Sequence, residues 1–328
     1  MRYPFIYCLI LLGTISPVLA QPATQPTTNT AATYDRTRDV IYGRSWGTSL
    51  TMDIFKPNEK PNGLGLVLVV SGGWYSSPDV ITPQYIELFC GEFLKRGYTI
   101  FAVCHGSNPK FTIPEAIADV NRSVRFIRAH AADYKIDPNN IGIFGGSAGG
   151  HLSLMMGCAN QPEKKESADP IDKVSSEVQC VACFFPPTDF LNYGGDGIVD
   201  LEKGILAPFR SAFDFHELDD KTKRMLPITN ARRIVDIYRE ISPLHHVDKD
   251  DAPALIIHGD KDVLVPLQQA TSIIEKFKSV GVEAKLITHP GRGHGWLDVQ
   301  PDLVQMADFF DAHLKGEKAK EKEPATKP

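Results

Sequence analysis

The sequence has little of several features that mark specialised protein classes. It contains six cysteines in 328 residues, and its 26 glycines and 24 prolines together make up about 15% of the chain, too small a share for a collagen-like or low-complexity protein. Lys and Arg number 35 against 40 Asp and Glu, and the net charge of -5 gives no electrostatic basis for nucleic-acid binding. Hydrophobic residues make up 42%, enough for a large core without disulfides.

Long hydrophobic runs are also scarce near the N-terminus. The apolar run at residues 5–12 is much shorter than the roughly 20 residues that a membrane-spanning helix needs. Arg2 precedes this run and Val18-Leu19-Ala20 follows it, which is the organisation of a secretory signal sequence cleaved after Ala20. We therefore expect residues 1–20 to be a signal peptide, the protein to be exported to the periplasm or beyond, and no stable membrane anchor.

The two segments beside the main body lack apolar residues. Residues 21–33 are rich in Pro, Thr and Ala and carry no charge, while residues 315–328 contain five Lys and three Glu. Such compositions cannot bury enough apolar surface to fold, so both are predicted to be disordered, as a linker and as a charged tail. Residues 34–314 remain as one domain.

Within this body, strand-like and helix-like patterns alternate. The continuous apolar run at 64–70 is typical of a strand buried on both faces of a parallel sheet, and residues 114–134 read as one long helix with proline at its start. The alternation predicts an α/β fold with a mostly parallel central sheet and helices on both faces. Residues 189–251 contain no predicted strand, and this long insertion is expected to form a cap over a site.

Residues 145–149 carry the strongest chemical signal. The segment Gly145-Gly146-Ser147-Ala148-Gly149 matches G-x-S-x-G and lies between a predicted strand at 141–144 and a predicted helix at 148–158. This strand-turn-helix context exposes the serine hydroxyl at the tip of a strained turn. A phosphate loop would require Lys after the last glycine, and His151 stands near that place instead. Ser147 is therefore predicted to be a nucleophile.

A serine nucleophile needs a base and an orienting acid, which follow it in the order Asp, His in this context. Asp262 lies in the loop after the predicted strand 254–258 and is preferred to Asp260, which directly follows a glycine. His294 lies between two glycines after the last predicted strand and is preferred to His289, which ends that strand. We expect His294 to take and return the proton and Asp262 to orient the imidazole.

An oxyanion hole requires two backbone N–H donors. One is predicted to belong to Ala148, the residue after the nucleophile. The other is expected from Gly73 or Trp74, in the loop after the apolar run 64–70, and the sequence does not choose between them. His151 is expected to pack or to form a local hydrogen bond.

Two further residues are candidates for lining a substrate pocket. His105 and Asp189 each follow a predicted strand. Asp189 is equally interpreted as an anchor for the cap. No cofactor or metal is expected, because the adjacent pair His245-His246 would rarely direct both rings at one ion. Cys180 and Cys183 lie on a predicted strand, where they would face opposite sides, so we expect free thiols rather than a metal or redox pair.

Together these motifs resemble the α/β-hydrolase superfamily, in particular secreted esterase/lipase-like proteins of the hormone-sensitive-lipase and feruloyl-esterase-like groups. The resemblance covers about residues 40–314. It rests on Ser71-Gly72-Gly73-Trp74, on residues 136–141 after a helix with Asp119 and Arg122, on the turn around Ser147, and on the loops that carry Asp262 and His294. The family usually shows His-Gly-Gly-Gly where this chain has Ser71 and two glycines.

The resemblance implies an α/β-hydrolase fold with a cap and hydrolysis of a small-molecule carboxylic ester through an acyl-enzyme. Two alternatives stay open at this point. The same machinery on the same fold could cleave amides, as in a serine peptidase or amidase, and a hydrolase fold could serve as a non-catalytic binding protein. The sequence does not indicate the oligomeric state or the natural ester.

Overall fold

A central eight-stranded sheet organises the protein, in the order β1-β2-β4-β3-β5-β6-β9-β10. Strands β1, β2 and β4 pair in antiparallel fashion, and β4, β3, β5, β6, β9 and β10 are parallel. This confirms the predicted mostly parallel α/β sheet. The strands are β1 (Tyr34–Ser45), β2 (Thr48–Pro57), β3 (Gly65–Val69), β4 (Thr99–Val103), β5 (Ile141–Gly146), β6 (Cys180–Phe184), β7 (His216–Leu218), β8 (Met225–Pro227), β9 (Ala254–Gly259) and β10 (Ala284–His289).

The computed structural model describes residues 33–159, 163–197 and 204–316. The predicted signal peptide at residues 1–20 lies outside the described residues, as do all but the last residue of the predicted linker and all but the first two residues of the predicted tail.

Seven α-helices are found in the described residues. None of them combines the length and the apolar character that crossing a membrane would require. The helix α2 starts with a capping box between Thr112 and Glu115, and α6 ends where Gly281 adopts a φ of 83°. The helices are α1 (Pro83–Lys95), α2 (Ile113–Ala129), α3 (Ala131–Tyr134), α4 (Ala148–Cys158), α5 (Ala231–Glu240), α6 (Leu267–Val280) and α7 (Gln300–Leu314).

The prediction of a single long helix over residues 114–134 is wrong in one respect. The structure divides it into α2 and α3 at His130, whose φ of -106° and ψ of 16° are not helical. The His130 Nδ1 lies 2.9 Å from the carbonyl oxygen of Phe126, so the side chain reaches back to the last turn of α2. A local side-chain contact of this kind leaves no trace in the hydrophobic pattern.

The core has two layers, one on each face of the sheet. Strand β6 shows this directly, because Cys183 belongs to one apolar cluster and Cys180 to the other, and both are fully buried. The expected opposite orientation of these cysteines is therefore confirmed. All five cysteines of the described residues are free thiols. Burial raises the pKa of each thiol, which keeps it protonated and unreactive.

The segment 189–251 contains more structure than the sequence predicts. It carries helix α5 and also the short antiparallel hairpin of β7 and β8, which the sequence analysis did not anticipate. Each of these strands has only three residues, and their side chains are mostly exposed, so they lack the apolar alternation that predicts a strand. The aromatic residues Phe190, Phe213 and Phe215 of the segment are buried.

Candidate active site

Ser147 lies at the turn between β5 and α4, with a φ of 55° and a ψ of -121°. A side chain at Gly145 would come within 2.6 Å of the backbone of Gly149, and one at Gly149 within 2.6 Å of the carbonyl oxygen of Val69. Both positions therefore require glycine, whereas the position of Gly146 has room for a Cβ. The strained turn presents the Ser147 hydroxyl at the carboxyl edge of the parallel sheet and at the N-terminus of α4.

The loops after β9 and β10 bring the predicted acid and base to this serine. The Nε2 of His294 lies 3.0 Å from Ser147 Oγ, and its Nδ1 lies 2.7 Å from Oδ2 of Asp262. A carboxylate only accepts, so Nδ1 carries the proton and Nε2 is free to accept from the serine hydroxyl. The three side chains form one continuous hydrogen-bond chain.

Asp262 is held rigidly and in its charged form. Its side chain has no exposed surface, and its Oδ1 accepts hydrogen bonds from the backbone N–H groups of Leu264 (2.9 Å) and Val265 (2.8 Å). A second imidazole, that of His258, places Nε2 3.4 Å from Oδ2. Burial alone would raise the pKa of Asp262, but the hydrogen bonds from His258, His294 and Val265 hold that pKa well below its usual range.

The two alternatives weighed against these residues lie close by with other partners. Asp260 accepts a hydrogen bond of 2.6 Å from the backbone N–H of Gly291 and so ties the two loops together. His289 lies 2.7 Å from Asp302, which also accepts a 2.7 Å hydrogen bond from the indole N–H of Trp296. Asp302 thus fixes both ends of the loop that carries His294.

Phe185 is a contact of the site that the sequence reasoning missed. It directly follows β6, and its φ of 34° is unusual for a bulky side chain. Its ring centre lies 4.4 Å from that of His294 and 5.8 Å from that of Trp296. The ring therefore packs against the imidazole from the side of the sheet. Its place at the carboxyl end of a central strand is a signal that could have identified it.

The predicted oxyanion donors follow two neighbouring strands, β5 and β3. Ala148 is the first residue of α4. Gly73 and Trp74 have φ values of 56° and 58° and form the tip of a tight turn closed by hydrogen bonds between Gly72 and Tyr75. Positive φ at both central positions is the type I′ pattern, which turns the backbone sharply. Either residue of the tip supplies a backbone N–H on the loop after β3.

Both candidates for lining the pocket are instead engaged inside the protein. Asp189 is 1% exposed, and its carboxylate accepts hydrogen bonds from Leu191 N–H (2.9 Å) and Asn192 Nδ2 (2.7 Å) and lies 3.2 Å from His245. Burial would raise the pKa of Asp189, but these partners lower it below its usual range. The geometry supports its alternative interpretation as a cap anchor.

His105 is 4% exposed, with Nε2 at 2.8 Å from Ser71 Oγ and Nδ1 at 2.8 Å from the Gly106 carbonyl. It therefore lies behind the loop after β3. In the part of the chain that the structure describes, no group of three or more His, Cys, Asp or Glu is arranged to hold a metal ion. His245 and His246 have separate partners, Asp189 and the carbonyl of Glu240.

Comparison with known protein families gives two matches to this chain. The model of the BD-FAE family matches residues 52–277, more than half of the chain, and that of the dienelactone hydrolase family matches residues 231–325. Both results agree with the resemblance stated from the motifs.

Curated relatives and solved structures point the same way. The probable carboxylic ester hydrolase LipM of Mycobacterium tuberculosis is 26% identical over 75% of this chain and 53% of its own length. The esterase LipC of the same organism is 25% identical over 80% of this chain and 60% of its own length. The chain thus spans little more than half the length of these relatives. A truncated form of a carbohydrate esterase from gut microbiota is 27% identical with a TM-score of 0.69, covering 89% of this chain and all of that one. The fold is the expected α/β-hydrolase fold.

Proposed function

Because this chain belongs to the BD-FAE family and has the α/β-hydrolase fold, we propose that it is a carboxylic ester hydrolase that works through an acyl-enzyme on Ser147. The observation that carries the proposal is the hydrogen-bond chain from Ser147 through His294 to Asp262. The esterase names of the relatives support the same reaction class.

In the first half of the reaction, the Ser147 hydroxyl attacks the ester carbonyl while His294 Nε2 takes its proton. The negative charge that forms on the carbonyl oxygen is stabilised by the backbone N–H of Ala148 and by a donor from Gly73 or Trp74. His294 then returns the proton to the departing alcohol. In the second half, water attacks the acyl-enzyme with His294 as the base, and Ser147 is released.

Asp262 supports both halves without changing its protonation state. Its depressed pKa keeps it an anion, and the anion stabilises the imidazolium that forms on His294. The hydrogen bond to Nδ1 also fixes the ring so that Nε2 faces the serine.

We propose esters of carbohydrates as the substrate class. The support is the likeness to the gut-microbial carbohydrate esterase, which this chain covers completely. We also propose that the protein is exported, on the basis of Arg2, the apolar run at 5–12 and Val18-Leu19-Ala20. The intact mass of the secreted protein tests this, because cleavage after Ala20 removes twenty residues.

Hydrolysis of p-nitrophenyl acetate by the wild type and by Ser147→Ala tests the reaction. We expect the variant to lose activity by about 10⁴-fold or more and to lose labelling by a fluorophosphonate. Ser153→Ala is the matched control, because Ser153 lies in the same helix and its hydroxyl donates to the Gly149 carbonyl at 2.7 Å. Equal rates for wild type and Ser147→Ala would refute the proposal.

A substrate panel separates the finer possibilities. Acetylated methyl xylosides should be hydrolysed with a higher kcat/KM than ethyl acetate, since a carbohydrate esterase uses binding energy from the sugar. Equal values would exclude the carbohydrate proposal and leave ester hydrolysis standing. Faster cleavage of peptide p-nitroanilides than of any ester would indicate an amidase instead.

A further inference from the structure

The turn that offers the second oxyanion donor has a costly conformation. Trp74 holds a φ of 58°, which is common for glycine and unusual for a bulky side chain. Such a conformation persists only when surrounding contacts determine it. The contacts on each side of the turn therefore decide where its backbone N–H groups point.

On one side, the side chain of Trp74 is tied to a buried histidine. The indole N–H donates to Nδ1 of His151 at 3.1 Å, and Nε2 of the same ring lies 2.7 Å from the carbonyl oxygen of Ile241. A carbonyl only accepts, so Nε2 carries the proton and Nδ1 is an acceptor for the indole. His151 is fully buried, which lowers its pKa to about 4 and keeps it neutral near pH 7.

On the other side, Ser71 is tied to a second buried histidine in the same way. Nδ1 of His105 lies 2.8 Å from the Gly106 carbonyl and so carries the proton, which leaves Nε2 to accept from the Ser71 hydroxyl at 2.8 Å. Burial again lowers the pKa of this imidazole to about 4. Each histidine thus has one nitrogen fixed by a backbone carbonyl and the other accepting from one end of the same loop.

We propose that His105 and His151 are positioning residues that clamp the two ends of the loop Ser71–Trp74 and so aim its backbone N–H groups at the oxyanion. The inference rests on the proposed function. It also gives a role to Ser71, whose hydroxyl reaches the imidazole of His105 in the loop after β4.

The clamp at Trp74 also connects the loop to the cap. The indole packs edge-on against Phe213 and Phe209, with ring centres 5.2 and 6.5 Å away, and Ile241, the partner of His151, is the C-cap residue of helix α5. A side chain at Gly73 would lie 2.4 Å from the Phe209 ring, so the loop and the cap are in close contact. The loop that offers the backbone donors is therefore packed directly against the cap segment.

Two conservative variants test the clamp from the loop side. Trp74→Phe removes the indole N–H but keeps an aromatic ring, and Ser71→Ala removes the hydroxyl alone. Each loses one neutral hydrogen bond, so kcat on p-nitrophenyl acetate should fall about 3- to 10-fold while KM stays within 2-fold. Trp46→Phe is the matched control, because Trp46 is 58% exposed, and it should keep the wild-type kcat.

The inhibition constant of a transition-state analogue distinguishes a change in the oxyanion hole from a general structural defect. An aryl trifluoromethyl ketone forms a hemiketal with Ser147 whose oxyanion occupies the hole. Its inhibition constant should rise in each variant by the same factor by which kcat/KM falls, while the inhibition constant of the leaving alcohol, p-nitrophenol, stays unchanged. Circular dichroism and the melting temperature report whether each variant is folded.

The outcomes separate the two proposals. A wild type without esterase activity or fluorophosphonate labelling refutes the proposed function itself. An active wild type with folded Trp74→Phe and Ser71→Ala variants, both within 2-fold in kcat and in ketone inhibition, refutes the clamp. If one variant fails to fold, the other decides alone, since each reports one end of the loop.

Discussion

Replacing Asp262 by Asn gives the sharpest prediction about the site, because the structure fixes how the new side chain must sit. Oδ1 of Asp262 accepts the backbone N–H groups of Leu264 and Val265, so the oxygen of an asparagine must take this place. The amide NH₂ then occupies the position of Oδ2, 2.7 Å from Nδ1 of His294. The NH₂ donates, which forces Nδ1 to become the acceptor and moves the ring proton to Nε2.

With its proton on Nε2, His294 cannot accept the proton of Ser147. The NH₂ also faces Nε2–H of His258, so two donors meet there. This Nε2 lies 3.4 Å from Oδ2 and has the Val265 carbonyl as its other acceptor at 2.8 Å. Loss of the correct tautomer in a serine triad lowers kcat by about 10⁴-fold, or about 5.5 kcal/mol of activation free energy. We therefore expect Asp262→Asn to reduce kcat on p-nitrophenyl acetate by about 10³- to 10⁴-fold.

Asp260→Asn is the matched control in the same loop. Asp260 accepts from the Gly291 N–H, and an asparagine oxygen accepts that hydrogen bond equally well. Steady-state rates, normalised to the folded fraction by circular dichroism, should leave Asp260→Asn within about 3-fold of the wild type. A folded Asp262→Asn with kcat within 10-fold of the wild type would refute the assignment of the acid, and so would an equally large loss in Asp260→Asn.

Two further predictions concern stability. Gly149→Ala places a Cβ 2.6 Å from the carbonyl oxygen of Val69, and such overpacking should lower the free energy of unfolding by about 1–3 kcal/mol and the melting temperature by several degrees. In Gly146→Ala the nearest neighbour of the new Cβ is 3.7 Å away, so the melting temperature should change little. Equal melting temperatures of the two variants would contradict this interpretation of the turn. His105 and His151 have pKa values lowered by burial to about 4, so below about pH 6.5 the unfolded chain binds protons that the folded chain does not. These two histidines should therefore lower the free energy of unfolding between pH 6.5 and 4, by up to about 1.4 kcal/mol per pH unit each, while Asp119 and Asp251, whose pKa values burial raises to about 7, act in the opposite direction. Urea unfolding of the wild type and of His105→Gln at pH 7 and pH 5 isolates the histidine contribution: the variant should lose less stability, or gain more, on going to pH 5, and an equal change in the two proteins would contradict it.

The parts of the site that the sequence predicted are those with a local physical cause. The turn around Ser147 requires glycines at 145 and 149 because backbone segments pack closely together there. The five consecutive residues 145–149 are therefore enough to predict the turn. Helix α4 begins and ends at the predicted residues because the turn fixes its start. The choice of Asp262 over Asp260 followed from its place further into a loop, and the structure puts Asp262 against His294.

The residues that the sequence did not predict act through contacts between distant segments. Phe185 touches His294 only because β6 lies between β5 and β9 in the sheet. Asp302 holds the loop of His294 from the first turn of α7. His105 and Asp189 were candidates for lining the pocket, with Asp189 equally interpreted as a cap anchor, and the sequence pattern did not show which buried partners each side chain has.

The sequence by itself determined the fold class, the strained turn and the order of the three site residues, because each depends on periodicity or on a short run of residue types. Only the tertiary structure decided how the site is held together. The hydrogen bonds from Ser71 to His105 and from Trp74 to His151 span 34 and 77 residues, and the bond from Ser147 to His294 spans 147. Pairings over such distances depend on the strand order of the sheet, which brings the ends of β3, β4, β5 and β10 to one edge.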